Sequence, residues 1–247
     1  MNFRVLIPAR HDATRLPGKP LVDIAGKPLI RHVCERALES DAAEVWVATD
    51  DERIAAACAA LDVQVAMTSS AHTSGTDRIA EVAAREGWGD DAILVDLQGD
   101  EPLMPASAIN TVAQALAADP DAGLSTLAVR LFEPERFRDP NVAKIVLNAA
   151  GRALYFSRAP IPWPRDADLA MPHEVLGHIG IYGFRVSALL RLASEAPCAM
   201  EQAESLEQLR ALWLGLPIRV EVVDDIPRAS VDTPEDVKRV AALLTER

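Results

Sequence analysis

Short apolar runs alternate with stretches of helical period along most of the chain. Phe3 to Pro8, Glu44 to Ala48, Val63 to Ala66 and Ala92 to Leu97 are apolar at successive positions, the pattern of strands covered on both faces. Between them, Pro28 to Ser40 carries an apolar stripe of Leu29, Ile30, Val33, Cys34, Ala37 and Leu38, and Asp51 to Leu61 and Thr76 to Glu86 read as further helices. This alternation predicts an α/β fold, a mainly parallel sheet with helices on both faces. Ligands of such sheets gather beyond the carboxyl ends of the strands, so the loops after the first and fourth strands are where chemistry is expected.

After a helix at Ala106 to Ala118 the rhythm changes. Leu124 to Leu131, Ala143 to Asn148 and Arg152 to Phe156 are strand-like, the last two joined at Ala150-Gly151 as an antiparallel hairpin. A proline-rich stretch from Pro160 to Pro172 cannot be a central strand. A strand at His178 to Phe184, helices at Val186 to Ala196 and Glu201 to Gly215, a strand at Ile218 to Val222 and a helix from Pro234 complete the pattern. Thr233 before Pro234, with Glu235 and Asp236 behind it, is a strong helix start. There is no internal repeat or clean break, so the 247 residues read as a single domain, 1–247.

Composition narrows the partners. With 25 Lys and Arg against 37 Asp and Glu, the net charge is -12, and no basic field is available to hold a nucleic acid. No apolar run has the length a bilayer needs, and Met1 to Arg4 leads straight into a strand without a signal peptide's cleavage region, so a cytoplasmic protein is expected. Cys34, Cys58 and Cys198 fit neither a disulfide framework nor a zinc site. Cys34 and Cys58 fall on helices as packing residues.

Against this acidic background the loop after the first strand, ARHDATRLPGKP, gathers Arg10, Arg15 and Lys19 around Gly18. Cations and backbone N–H groups together can neutralise a polyphosphate. The bland alternative is a solvated basic turn, and Gly18-Lys19-Pro20 is no Walker sequence. At the end of the fourth strand, Asp100 in Asp96-Leu97-Gln98-Gly99-Asp100 is suited to Mg²⁺, or simply to a turn. Asp232, alone, is a helix-start charge. Should it converge with Asp100, the two could share one ion between a phosphate and an attacking hydroxyl.

Five further features are individually weak. Ser74, Gly75 and Arg78 in HTSGTDR could read a base or ribose, or form an ordinary cap. Arg158 offers a planar fork for a carboxylate, His178 and Tyr182 share a strand face, and Glu207 and Gln208 lie in a late helix. Asp119-Pro120-Asp121 and Asp166-Ala167-Asp168 imitate glycosyltransferase D-x-D motifs, but fall in loops away from buried strand ends.

In order along the chain, ARHDATRLPGKPLVDIAGKPLI, HTSGTDR, VDLQGDEP, YFSRAPIPW, HIGIYGF, LEQLR and VDTPED closely resemble the 3-deoxy-manno-octulosonate (Kdo) cytidylyltransferases of the sugar nucleotidyltransferase superfamily. The resemblance implies a three-layer nucleotidyltransferase domain with a small mixed-sheet insertion, at about 130–200, through which such enzymes form homodimers. It implies Mg²⁺-assisted transfer of CMP from CTP to the anomeric hydroxyl of Kdo, for lipopolysaccharide biosynthesis. Arg10, Arg15 and Lys19 then resemble triphosphate ligands, Ser74, Gly75 and Arg78 the cytidine segment, and Asp100 and Asp232 the metal ligands. Gln98, Arg158, His178, Tyr182, Glu207 and Gln208 resemble the Kdo contacts.

The sequence departs from the family at Asp12 and Ala13, which add a negative charge and remove a hydroxyl, and weaker triphosphate binding is the expected consequence. Three other readings stay open at this point. They are transfer to another 3-deoxy-2-ulosonate or a sialic acid, a glycosyltransferase, and a silent nucleotide-binding protein.

Overall fold

The structure is a computed structural model that describes residues 1–11, 16–165, 171–172, 174–224, 226 and 230–245. The expected helices and strands are largely present. The first unit is β1 (Phe3–Ala9), a 3-10 turn (Lys19–Leu21), the short strands β2 (Asp23–Ile24) and β3 (Lys27–Pro28), and α1 (Leu29–Leu38). Then come β4 (Glu44–Thr49), α2 (Glu52–Cys58), β5 (Gln64–Met67), α3 (Gly75–Glu86), β6 (Ile93–Asp96), α4 (Ala106–Ala118) and β7 (Leu124–Leu131). The second half holds α5 (Pro134–Arg138), β8 (Lys144–Leu147), β9 (Ala153–Ser157), β10 (Val175–Arg185), α6 (Val186–Ser194), α7 (Ala199–Glu204), α8 (Gln208–Trp213), β11 (Ile218–Val223) and α9 (Pro234–Thr245).

The main sheet runs in the order β11-β7-β10-β6-β1-β4-β5. β5, β4, β1 and β6 are parallel neighbours, as their two-sided apolarity requires, and β10 lies antiparallel between β6 and β7. Alternate residues of β1 feed opposite layers. Val5 and Ile7 pack with α1 and α4, whereas Leu6 packs with α3, α6 and α8. β8 and β9 form the expected antiparallel hairpin, with Gly151 in the left-handed region at φ 73°, and β8 branches from the sheet on β10.

Besides the 3-10 turn and the short β2–β3 pair, which the sequence reading does not contain, three elements differ from it. β10 is longer than His178 to Phe184, because its N-terminal end also pairs with β7 and β8. Between Ile179 and Tyr182 it bulges, and the Thr126 hydroxyl on β7 donates into the bulge, 2.8 Å from the Ile181 carbonyl. The helix expected at Glu201 to Gly215 is broken into α7 and α8 at Ser205, φ 51°. The break folds α8 back so that Arg210 reaches the buried Glu201 carboxylate, Nε to Oε2 2.7 Å. α5 is too short to show a period and is anchored by the fully buried Phe137.

Gly183 on β10 pairs in register with Ser125 on β7. A Cβ there would collide with the Ser125 hydroxyl, which donates to the Val112 carbonyl at 2.7 Å. Gly183→Ala should therefore lower stability by about 1–3 kcal/mol, read from the urea midpoint.

Candidate active site

The site lies at the carboxyl ends of β1 and β6, as expected. A cavity of about 270 Å³ is lined by residues from four segments, among them Arg10, Lys19, Ser74, Gly75, Arg78, Gln98, Asp100 and Asp232. These come from four separate sequence motifs, and the fold gathers them around one space.

The first loop leaves β1 at Ala9 and returns through Gly18, whose φ of 69° allows the tight entry into the 3-10 turn. That turn aims Lys19 inward. Its Nζ donates to Asp100 Oδ2 at 2.6 Å and to Asp232 Oδ1 at 3.1 Å. Burial disfavours the Lys19 charge, but the ion pairs with Asp100 and Asp232 outweigh it and hold the ammonium above its usual pKa. Arg15, Asp12 and Ala13 lie outside the described residues.

The two aspartates meet because their loops are tied. The Val231 N–H donates to the Asp100 carbonyl at 2.9 Å. Asp236 in the first turn of α9 accepts from the N–H of Asp232 and Thr233, while Thr233 caps the Asp236 N–H as its sequence context suggested. The convergence that gives Asp232 a meaning beyond its helix is thus present: both carboxylates share one ammonium.

Opposite them stands the N-terminus of α3, with Ser74 accepting from the Asp77 N–H at 3.1 Å. The first N–H groups and the helix dipole favour a negative or acceptor group there. Gly75 is needed for closeness, since a Cβ would lie 3.1 Å from Pro8 and 3.3 Å from the Gln98 amide. Gly99 is tighter still, its Cβ position 2.7 Å from the Pro8 carbonyl. Arg78 is buried and held by Thr68, at 2.6 Å, and by Asp50, at 3.1 Å; neither partner was singled out in the sequence.

Past Gln98 is a second cluster. His178 and Tyr182 do share a face, their ring centroids 5.3 Å apart, and Phe156 meets the His178 ring edge-on at 5.4 Å. Glu207 accepts from Thr76 at 2.7 Å, linking α3 to the turn that starts α8, and the neighbouring Gln208 is buried with no partner for its Nε2 among the described residues. Asp96, the last residue of β6, is buried beneath this cluster and pairs in register with Tyr182. Burial, together with the charge of Glu207, pushes the Asp96 carboxyl up to about 8, and burial raises Tyr182. The sequence reading passed over Asp96 as the end of an apolar run.

Asp96 also gives the fold a pH dependence. Its carboxyl keeps a proton in the folded state between its ordinary value of 3.8 and about 8, whereas the unfolded chain releases it. Unfolding therefore loses a proton in that window, and stability falls as pH rises through it and levels off above. Thermal melts from pH 5 to pH 9 should show this decline, and Asp96→Asn should make it shallower, part remaining from Glu101, which burial and the charge of Asp100 also raise to about 8.

Arg158, which the resemblance assigns to the sugar acid, is engaged by backbone oxygens of the protein itself. Its guanidinium donates to the carbonyls of Glu204 (2.5 Å), Pro140 (2.9 Å) and Ser205 (3.3 Å), closing the break between α7 and α8. Arg158→Ala should cost about 1–3 kcal/mol in chemical denaturation while leaving calorimetric CTP binding intact. Of the D-x-D look-alikes, Asp119 and Asp121 are bound by Arg152 at the far end of α4, and Asp166 and Asp168 lie outside the described residues. Cys34 and Cys58 are buried core residues, and Cys198 is buried at the start of α7. No helix among the described residues is long and apolar enough to cross a membrane.

Comparison with known proteins places the chain in a family. A family model described as cytidylyltransferase matches residues 4–220. The 3-deoxy-manno-octulosonate cytidylyltransferase of Hahella chejuensis is 51% identical over 250 residues, covering 99% of this chain and 98% of that protein. The protein of the same name from Stenotrophomonas maltophilia strain K279a is 52% identical, covering 98% and 97%. A solved structure of a CMP:2-keto-3-deoxy-manno-octonic acid synthetase complexed with CTP is 42% identical, covers 99% of this chain and 98% of its own, and superposes with a TM-score of 0.90. By sequence and fold, the chain belongs to the 3-deoxy-manno-octulosonate cytidylyltransferases, within the cytidylyltransferase family.

Proposed function

We propose that the protein transfers CMP from CTP to the anomeric hydroxyl of Kdo, with Mg²⁺ as cofactor, and releases pyrophosphate. The observation that carries the site assignment is the meeting of Asp100 and Asp232 on Lys19 at the mouth of a cavity walled by the α3 N-terminus.

The donor set suits Mg²⁺. Two carboxylates converge on a position already occupied by a cation, and a hard ion of this kind takes one or two carboxylates with substrate phosphates completing its shell. When bound, Mg²⁺ supplies charge neutralisation at the α-phosphate and favours ionisation of the attacking hydroxyl.

The chain's own residues supply the rest. Arg10 and Lys19 hold the triphosphate tail, with Arg15 assigned beside them from the family motif. They stabilise the charge that gathers on the departing pyrophosphate. Ser74, Gly75 and Arg78 hold the cytidine portion. Gln98, His178, Tyr182, Glu207 and Gln208 provide donors and acceptors for the hydroxyls of a sugar acid on the other side. The sugar oxygen attacks phosphorus in line, one P–O bond forms as the bond to pyrophosphate breaks, and no covalent enzyme intermediate is needed.

The hairpin region also suggests a homodimer. Leu154 on β9 and Trp213 on α8, which packs against β9, are both more than half exposed, at 58% and 67%. Purified protein incubated with CTP, Kdo and Mg²⁺ should yield CMP-Kdo and pyrophosphate, with UTP and a sialic acid as poor replacements. Equal turnover with a sialic acid would move the assignment to another acceptor. Release of a nucleoside mono- or diphosphate from a nucleotide sugar would favour a glycosyltransferase.

A further inference from the structure

Gln98 lines the cavity, and its amide is held from below. Nε2 donates to both oxygens of Asp96, at 2.9 and 2.8 Å, and the amide lies against Gly75, where a Cβ would come within 3.3 Å of both its polar atoms. Asp96 itself is 2% exposed and is not part of the cavity wall.

A primary amide has one donor end and one acceptor end, and its rotation about the last bond interchanges them. A carboxylate beneath it accepts only, so it draws the donor end down. Protonation would add a donor and remove that bias, so the orientation belongs to the ionised carboxylate, and the assays below are run at pH 9, above the value of about 8 to which burial raises Asp96. We propose that Asp96 is a positioning residue that fixes the Gln98 amide with its carbonyl oxygen toward the cavity, so that the site selects a hydroxyl donor on the acceptor substrate. This rests on the reading of that substrate as a sugar acid.

Substitution by asparagine keeps the shape but removes the bias, because an amide beneath Gln98 pairs equally well with either end. Asp96→Asn is expected to raise KM for Kdo about tenfold, with KM for CTP unchanged, since one hydroxyl contact then meets the wrong partner in much of the population. A merely structural residue would not produce that split.

The test is a double-mutant cycle of Asp96→Asn with Gln98→Ala, read as KM for Kdo and for CTP, with Asp96→Ser run in parallel. If Asp96 acts through Gln98, the Asp96 substitutions add nothing once the amide is gone. Additive effects overturn the proposal, as does an unchanged KM for Kdo in the single variants. Loss of calorimetric CTP binding in both Asp96 variants assigns the residue to the core and also overturns it. Wild-type turnover of Kdo is the control: its absence counts against the acceptor reading rather than against the role of Asp96.

Discussion

Asp100→Asn should reduce pyrophosphate release from CTP and Kdo by about 10²–10³-fold while leaving the circular dichroism spectrum and melting profile close to wild type. The side chain is a quarter exposed, at 26%, and its isosteric amide still accepts a hydrogen bond from Lys19, so little folding energy is at stake. What is lost is a negative oxygen at the point where two loops converge. Turnover near the wild-type rate would remove Asp100 from the metal site.

Lys19→Met should lower kcat by about 10²-fold or more, for a different reason. The ammonium is the cation placed to follow charge onto the leaving pyrophosphate, and it pairs with Asp100 and Asp232. Removing it leaves two carboxylates facing each other without a counter-charge. A second effect of opposite sign follows: in the absence of nucleotide, the variant should bind a divalent cation more tightly than wild type. Calorimetric titration with Mn²⁺ checks this, and weaker binding would show that Lys19 does not compete for that position.

The layers of this fold were legible because apolar runs and stripes declare burial directly. Val5, Leu6 and Ile7 announce a strand covered on both sides, and Leu29, Val33 and Ala37 a helix that packs on it. The caps at Ser74 and Thr233 were legible because capping is local chemistry.

What the sequence left open is set by contacts between distant segments. Ser205 breaks a continuous helical pattern because Arg158 takes its carbonyl and Arg210 pairs with Glu201. Arg158 advertised a carboxylate fork, yet its partners are backbone oxygens, which no side-chain pattern reveals. That Asp232 meets Asp100 depends on the Val231 N–H bonding the Asp100 carbonyl, a contact between segments far apart in sequence. Asp96 was hidden in plain composition, a single acid closing an apolar strand, whose meaning comes from Gln98 and Tyr182 beside it.

The central claim is that Asp100 and Asp232 together hold the divalent ion that accompanies the nucleotide. Electron paramagnetic resonance of Mn²⁺ titrated into the protein with CTP measures it without relying on turnover. Wild type should show one tight nucleotide-dependent site, loosened about tenfold or more in both Asp100→Asn and Asp232→Asn. Wild-type affinity retained in either variant would contradict a shared site.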